Sequence, residues 1–162
     1  MTTRTVRSLI RLATLIVVFP ILAQAQSEPP NPPAGFDKIE QMIPMRDGVK
    51  LHTIIYVPKA HTGPLPILFN RTPYGIDGMY RAFPSGILKE LIDDPFIFAF
   101  QDIRGRFKSE GQFVMLRPLR DASNAKAIDE TTDTYDTIDW MIKNIRNNNG
   151  RVGMFGTSYP GW

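Results

Sequence analysis

The 162-residue chain is 43% hydrophobic and 22% charged, ordinary globular proportions that exclude a disordered or collagen-like polypeptide. It contains no cysteine, which excludes disulfide scaffolds, thiol nucleophiles and thiolate metal sites. The formal charge of +3 vanishes once Arg4, Arg7 and Arg11 are set aside; basic and acidic residues then balance at 16 each, with no footprint for nucleic acid.

Those three arginines open the chain, followed by an apolar run over residues 12–22 and then Ala23-Gln24-Ala25. A positive start, a short apolar run and an A-x-A site form the pattern of a cleaved export signal. A membrane anchor fits less well, because the run is about half of the ~20 apolar residues needed to span a bilayer, and Pro20 interrupts it. The expectation is a signal over residues 1–25, export to the periplasm or the extracellular space, and no membrane contact after cleavage.

Residues 26–36 are polar and proline-rich, a leader ahead of the folded portion expected over 37–162. Two apolar runs, 39–45 and 49–57, flank Arg46-Asp47-Gly48, and in the second Val49, Leu51, Thr53, Ile55 and Val57 alternate. That pattern predicts an antiparallel hairpin. Residues 65–70 and 96–100 read as short buried strands. A loop-rich stretch over 103–127 comes next, with one short extended piece at 112–116. Tyr135, Ile138, Met141 or Ile142, and Ile145 then recur at helical spacing. Asp129, Glu130 and Asp133 gather at the start of that helix, and Lys143 and Arg146 near its end, as the helix dipole favours. Residues 147–150 are expected to stop it and 151–155 to form a last strand. A hairpin and then strands alternating with a helix predict an α/β fold with a mainly parallel sheet.

Gly156-Thr157-Ser158-Tyr159-Pro160-Gly161 comes directly after that strand. The strict nucleophile elbow, G-x-S-x-G, would place its second glycine where this chain has Pro160, so the match is to a variant with Gly161 one residue later. An elbow serine sits on a sharp strained turn, with small neighbours that let strand and helix approach closely. Gly156 and Gly161 supply the room, Pro160 is tolerated in a first helical turn, and the Tyr159 N–H that would face a developing oxyanion is intact. The other reading is a plain turn serine after a strand; on the residues alone both stand. A nucleophile in this setting precedes its acid and its histidine in the chain, yet only four residues lie beyond Ser158. His52 and His61 lie far upstream, on the hairpin and the loop after it, and are read as surface or packing residues rather than as the base. The chain therefore reads most simply as the N-terminal portion of a longer enzyme.

Several further segments carry a resemblance: Pro44-Met45-Arg46-Asp47-Gly48-Val49-Lys50-Leu51, Arg71-Thr72-Pro73-Tyr74, Gln101-Asp102-Ile103-Arg104-Gly105, Asp129-Glu130-Thr131-Thr132-Asp133, Asp136-Thr137-Ile138-Asp139-Trp140 and Asn149-Gly150-Arg151-Val152-Gly153-Met154. With Gly156-Thr157-Ser158-Tyr159 they make the chain resemble the serine hydrolases grouped around X-Pro dipeptidyl-peptidase and cocaine esterase, and within that group the α-amino-acid ester hydrolases. The resemblance implies the N-terminal part of an α/β-hydrolase fold ending at the nucleophile elbow, with a helical cap and a C-terminal jelly roll beyond Trp162. It implies Ser158 as nucleophile, the Tyr159 backbone N–H as one oxyanion donor and the Tyr74 hydroxyl as the second. Asp102 and Arg104 are read as structural, holding the loop after their strand. Pro160 departs from the acidic residue usual in the ester hydrolases. The function implied is acyl transfer on small esters or amides, α-amino-acid or β-lactam side-chain esters first, with no metal or organic cofactor and a small molecule as the only partner. Two alternatives are X-Pro dipeptidyl-peptidase-type amide hydrolysis and a non-catalytic remnant.

Overall fold

The computed structural model describes residues 34–79, 88, 91, 94–124 and 126–161, so the expected signal and nearly all of the leader lie outside it. Five strands form one sheet: β1 (Phe36–Pro44), β2 (Lys50–Pro58), β3 (Leu65–Thr72), β4 (Ile97–Asp102) and β5 (Asn148–Met154). Their spatial order is β1-β2-β4-β3-β5, with β1 and β4 antiparallel to β2 and with β4 and β5 parallel to β3. Among the described residues one α-helix, α1 (Glu130–Asn144), precedes β5, and a 3₁₀ turn (Tyr159–Gly161) comes after it.

The hairpin forms where the sequence predicts. Gly48 takes a left-handed φ of 88° in its turn, and the Gly48 N–H closes onto the Met45 carbonyl at 2.9 Å. The fold begins earlier than the sequence suggests, because Phe36 belongs to it rather than to the leader. Its buried ring meets Phe98 edge-on, with centroids 6.0 Å apart. The alternation in β2 also means something other than inside against outside. β2 is flanked by β1 and β4 and buried on both faces. Leu51 and Ile55 join a largely aliphatic cluster beneath α1 with Ile43, Ile67, Ile97 and Met141. Ile54 and Tyr56 join a largely aromatic cluster with Phe36, Phe98 and Phe100 on the other side.

α1 starts at the acidic cluster. Asp129 is its N-cap: the Thr132 N–H donates to the Asp129 carboxylate at 2.7 Å, and the Asp129 N–H donates to the Thr132 hydroxyl at 2.9 Å. Its buried stripe runs through Asp133, Thr137 and Met141, with Ile138 and Trp140 partly buried beside it. Tyr135 is not on that stripe. It lies two residues from both Asp133 and Thr137, on the opposite side of the helix, and is 65% exposed. The helix also ends before 147. Asn148 donates its side-chain N–H groups to the Ile142 and Ile145 carbonyls and at the same residue begins β5, so residues 148–150 are strand rather than helix stop. The extended piece expected at 112–116 is not a strand; Leu116 has φ 52° and an exposed side chain, and the segment runs as irregular loop.

Candidate active site

β3 and β5 are parallel neighbours, so the segments leaving their carboxyl ends emerge at the same edge of the sheet. After β5, Phe155 is tied to β3 twice: its N–H donates to the Phe69 carbonyl at 3.1 Å, and its carbonyl accepts from the Asn70 side chain at 2.8 Å. The chain then turns sharply. Ser158 has φ 60°, a left-handed conformation that costs a non-glycine residue about 1–3 kcal/mol. The turn closes so tightly that a Cβ on Gly156 would fall onto the Pro160 carbonyl, and one on Gly161 would come within 2.9 Å of the Gly156 oxygen. Two glycines separated by four residues are therefore a steric requirement here, and the strict elbow spacing is not. Pro160 sits inside the 3₁₀ turn, where the Gly161 N–H donates to the Ser158 carbonyl at 2.8 Å. Ser158 is exposed.

Tyr74 lies two residues beyond β3, 65% exposed, with its N–H donating to the Thr72 hydroxyl at 3.1 Å. The three predicted site residues, Ser158, Tyr159 and Tyr74, thus leave the same ends of two adjacent strands. A cavity of about 400 Å³ opens beside the elbow, lined by Arg71, Glu130, Thr134, Met154, Tyr159 and Pro160. Neither Ser158 nor Tyr74 lines it, so it flanks the turn on the α1 side rather than covering Ser158.

The histidines fall elsewhere. His61 is on the β2–β3 connection, at the opposite end of the sheet, with Nδ1 2.8 Å from the Gly63 carbonyl. His52 is neither a surface nor an apolar packing residue. It is 2% exposed, with Nδ1 2.9 Å from Asp102 and Nε2 2.8 Å from Glu40. A carboxylate stands at each ring nitrogen: burial pulls the His52 pKa down, but the hydrogen bonds to Asp102 and Glu40 outweigh that and leave it raised, which favours the imidazolium. Two strands, β4 and β3, separate it from β5, which removes it as the serine's base. Glu40, His52 and Asp77 bring ligand atoms within 4.8 Å of one another. That space already holds a cation, the Lys108 ammonium, 2.8 Å from Asp77 and 3.4 Å from Glu40. The group is an ion-pair network, and no metal is needed to explain it.

Asp102 and Arg104 hold the loop after β4, as expected. Ser109 donates to the Asp102 carbonyl at 2.6 Å and accepts from the His52 N–H at 2.8 Å. Arg104 spans Asp133 and Asp47, its shortest contact to each 2.7 Å. Sequence reasoning missed Asn70, whose only signal is an amide at the end of an otherwise apolar strand run.

The sheet order and the sharp turn after β5 match the N-terminal part of an α/β-hydrolase fold. The model of the X-Pro dipeptidyl-peptidase (S15) family matches residues 47–162, and the chain belongs to that family. It is 38% identical to the cocaine esterase of Rhodococcus sp. (strain MB1 Bresler) over 121 residues, 74% of this chain and 19% of the esterase. Among solved structures it is similar to an aminopeptidase from a marine sediment archaeon, Thaumarchaeota archaeon, with 42% identity and a TM-score of 0.67 over 78% of this chain and 22% of that one. It is similar also to an α-amino acid ester hydrolase, with 40% identity and a TM-score of 0.69 over 88% of this chain and 25% of that one. The chain therefore spans only a fifth to a quarter of the length of these relatives, which are ester and peptide hydrolases.

Proposed function

We propose that the full-length protein is a serine hydrolase that transfers the acyl group of small α-amino-acid esters to water. The observation that supports this most is the left-handed backbone of Ser158, a strained serine at the carboxyl end of a parallel strand. In this reading the Ser158 oxygen adds to the ester carbonyl. The oxyanion accepts hydrogen bonds from the Tyr159 N–H and the Tyr74 hydroxyl, the alkoxide leaves, and water resolves the acyl-enzyme. The base that takes the Ser158 proton belongs to polypeptide beyond residue 162. Tyr74 is suited to its role because a phenol is a neutral donor at pH 7.

The α-amino acid ester hydrolase, at 40% identity, supports the ester; the archaeal aminopeptidase, at 42%, supports a second reading in which an amide is cleaved by the same steps. Both of those relatives act on α-amino compounds, so a free amino group beside the scissile carbonyl is part of the proposal. The protein would act after export, with mature protein starting at Gln26, which N-terminal sequencing checks. The main test uses the full-length gene product with phenylglycine methyl ester and a Gly-Pro anilide. Ser158→Ala should reduce turnover to the uncatalysed background, and Tyr74→Phe should lower kcat by about 10²–10³. Turnover surviving Ser158→Ala would overturn the reading, and preference for the anilide would favour the amide.

A further inference from the structure

Loop 103–113 is not adjacent to Ser158 in sequence, yet it grips the neighbours of both assigned oxyanion donors. Arg106 donates from Nε to the Pro73 carbonyl at 3.0 Å, fixing the peptide that enters Tyr74. The next residue, Phe107, lies against Gly75, the residue that leaves Tyr74; a Cβ there would come within 2.9 Å of the ring. Gly75 has φ 93° and Phe107 φ 47°, so both sides of this contact sit in backbone conformations that packing must hold in place. The Arg106 guanidinium carbon is 5.4 Å from the centroid of Phe107 and 5.2 Å from that of Phe113. Phe113 in turn faces the ring of Tyr159, with centroids 6.4 Å apart.

The loop is itself compact. The Gly105 N–H donates to the Glu110 carbonyl at 2.9 Å, the Arg106 N–H to the Ile103 carbonyl at 3.0 Å and the Ser109 N–H to the Arg106 carbonyl at 2.9 Å. Gly105 has φ 69° and packs so closely on the Phe113 backbone that no Cβ fits. Ile103 is anchored by its N–H to the Thr72 carbonyl at 3.1 Å. The loop, hydrogen-bonded to β3 at one end and in ring contact with Tyr159 at the other, carries a planar cation between the two.

We infer that Arg106 is a positioning residue: through Pro73 and through Phe113 it sets the Tyr74 hydroxyl and the Tyr159 N–H relative to each other, so that both converge on one oxyanion. This rests on the serine-hydrolase reading above. Its physical basis is that donors stabilise a transition state only where they are pre-placed, and a displacement of about 1 Å can cost up to 10²-fold. Arginine suits the position because one flat group can stack between two rings while its Nε points at a carbonyl in the same plane; a lysine keeps the charge and loses the stacking.

The test is a double-mutant cycle in the full-length gene product, with thermal melts run in parallel. Arg106→Ala should lower kcat and kcat/KM together, by about 10-fold to 10²-fold, with KM nearly unchanged. In a Tyr74→Phe background the same change should cost several-fold less than in wild type, because one of the two donors it places is already gone and only the Tyr159 N–H is left to misplace. Arg106→Lys should fall between wild type and Arg106→Ala, and it carries the test if Arg106→Ala does not fold. Equal losses in the two backgrounds, or a kcat within about 2-fold of wild type for a folded variant, would overturn the inference while leaving the hydrolase reading intact. Activity that survives Ser158→Ala overturns that reading instead, whatever Arg106 does.

Discussion

The two faces of the sheet end in two buried ion clusters that are built differently. Beneath α1 the core is largely aliphatic, and at the carboxyl end of the strands Arg104 links Asp133 of the helix to Asp47 of the hairpin turn. On the other face the core is largely aromatic, and at the same end His52 links Asp102 of β4 to Glu40 of β1. Each cluster places one cation between two carboxylates, and each holds the loop that leaves β4. The cations differ in chemistry. Arg104 is charged at every pH at which the protein folds: burial acts to lower its pKa, and Asp133 and Asp47 more than offset that. His52 is charged only while its partners keep it so. One face is therefore closed by a permanent bracket and the other by a titratable one.

Breaking the permanent bracket gives the largest expected effect. Asp133 receives both its Arg104 contacts, 2.9 Å from Nε and 2.7 Å from Nη2, in a site where its side chain is 2% exposed. Arg104→Met leaves that carboxylate buried with its main partner gone, which costs about 3–5 kcal/mol. The expected outcome is a large drop in the unfolding midpoint of the full-length protein in urea. Adding Asp133→Leu should recover part of the loss, because removing both charges is far cheaper than removing one. A midpoint within error of wild type for Arg104→Met would mean the bracket is dispensable.

The contrast between clusters also marks what can be read from the sequence. The hairpin is legible because Gly48 separates two runs of the right period, and the elbow because Gly156, Ser158 and Gly161 come immediately after a strand. Those signals lie within a few residues of one another. The His52 cluster is assembled from residues 12 and 50 positions away, and the Arg104–Asp133 pair from residues 29 apart. Only the strand order and the docking of α1 bring them together, so residue spacing carries no trace of them. Tyr135 misleads for a related reason. An apolar period alone does not say which of two overlapping stripes faces the sheet, and here Thr137, a polar residue bonded to Gln101 at 2.9 Å, occupies the buried one. Asn148 is unreadable as a strand start because its side chain satisfies the helix end as any stop residue would.

The titratable bracket yields a pH signature of smaller size. His52 has a raised pKa in the folded protein, so its contribution is fully present below the ordinary value of 6.5 and is lost as pH rises through the folded value. Glu40 behaves in the opposite sense: hydrogen bonds from Lys38 and His52 lower its pKa from 4.5 to about 2, so its contribution is present above 4.5 and lost as pH falls towards 2. The cluster is complete between those limits. Unfolding midpoints measured from about pH 5 upwards should show wild type losing stability above pH 6.5 relative to His52→Gln, whose midpoint carries no such limb. Parallel curves for the two proteins across that range would remove His52 as the source of the pH dependence.

The smallest expected effect separates the two carboxylates that hold His52. Asp102 is buried, whereas the Glu40 side chain is 42% exposed, so water screens its pull on the ring. Glu40→Gln keeps an acceptor for the Nε2–H and removes the charge. Its direct cost should stay below about 1 kcal/mol, the range of solvent-exposed pairs. What it should change is how deep the alkaline limb is and where it ends. With one of the two neighbouring negative charges gone, burial counts for more and the folded pKa of His52 falls towards 6.5, so the loss of stability still starts near 6.5 but is smaller and ends at lower pH than in wild type. The Lys108 ammonium then keeps Asp77 as its partner and loses its contact to Glu40, which leaves its positive charge less compensated near the ring and moves the limb the same way. A limb of unchanged depth and end point in Glu40→Gln would show that Asp102 alone keeps His52 charged, and the cluster on the aromatic face would then be a buried pair with a surface bystander.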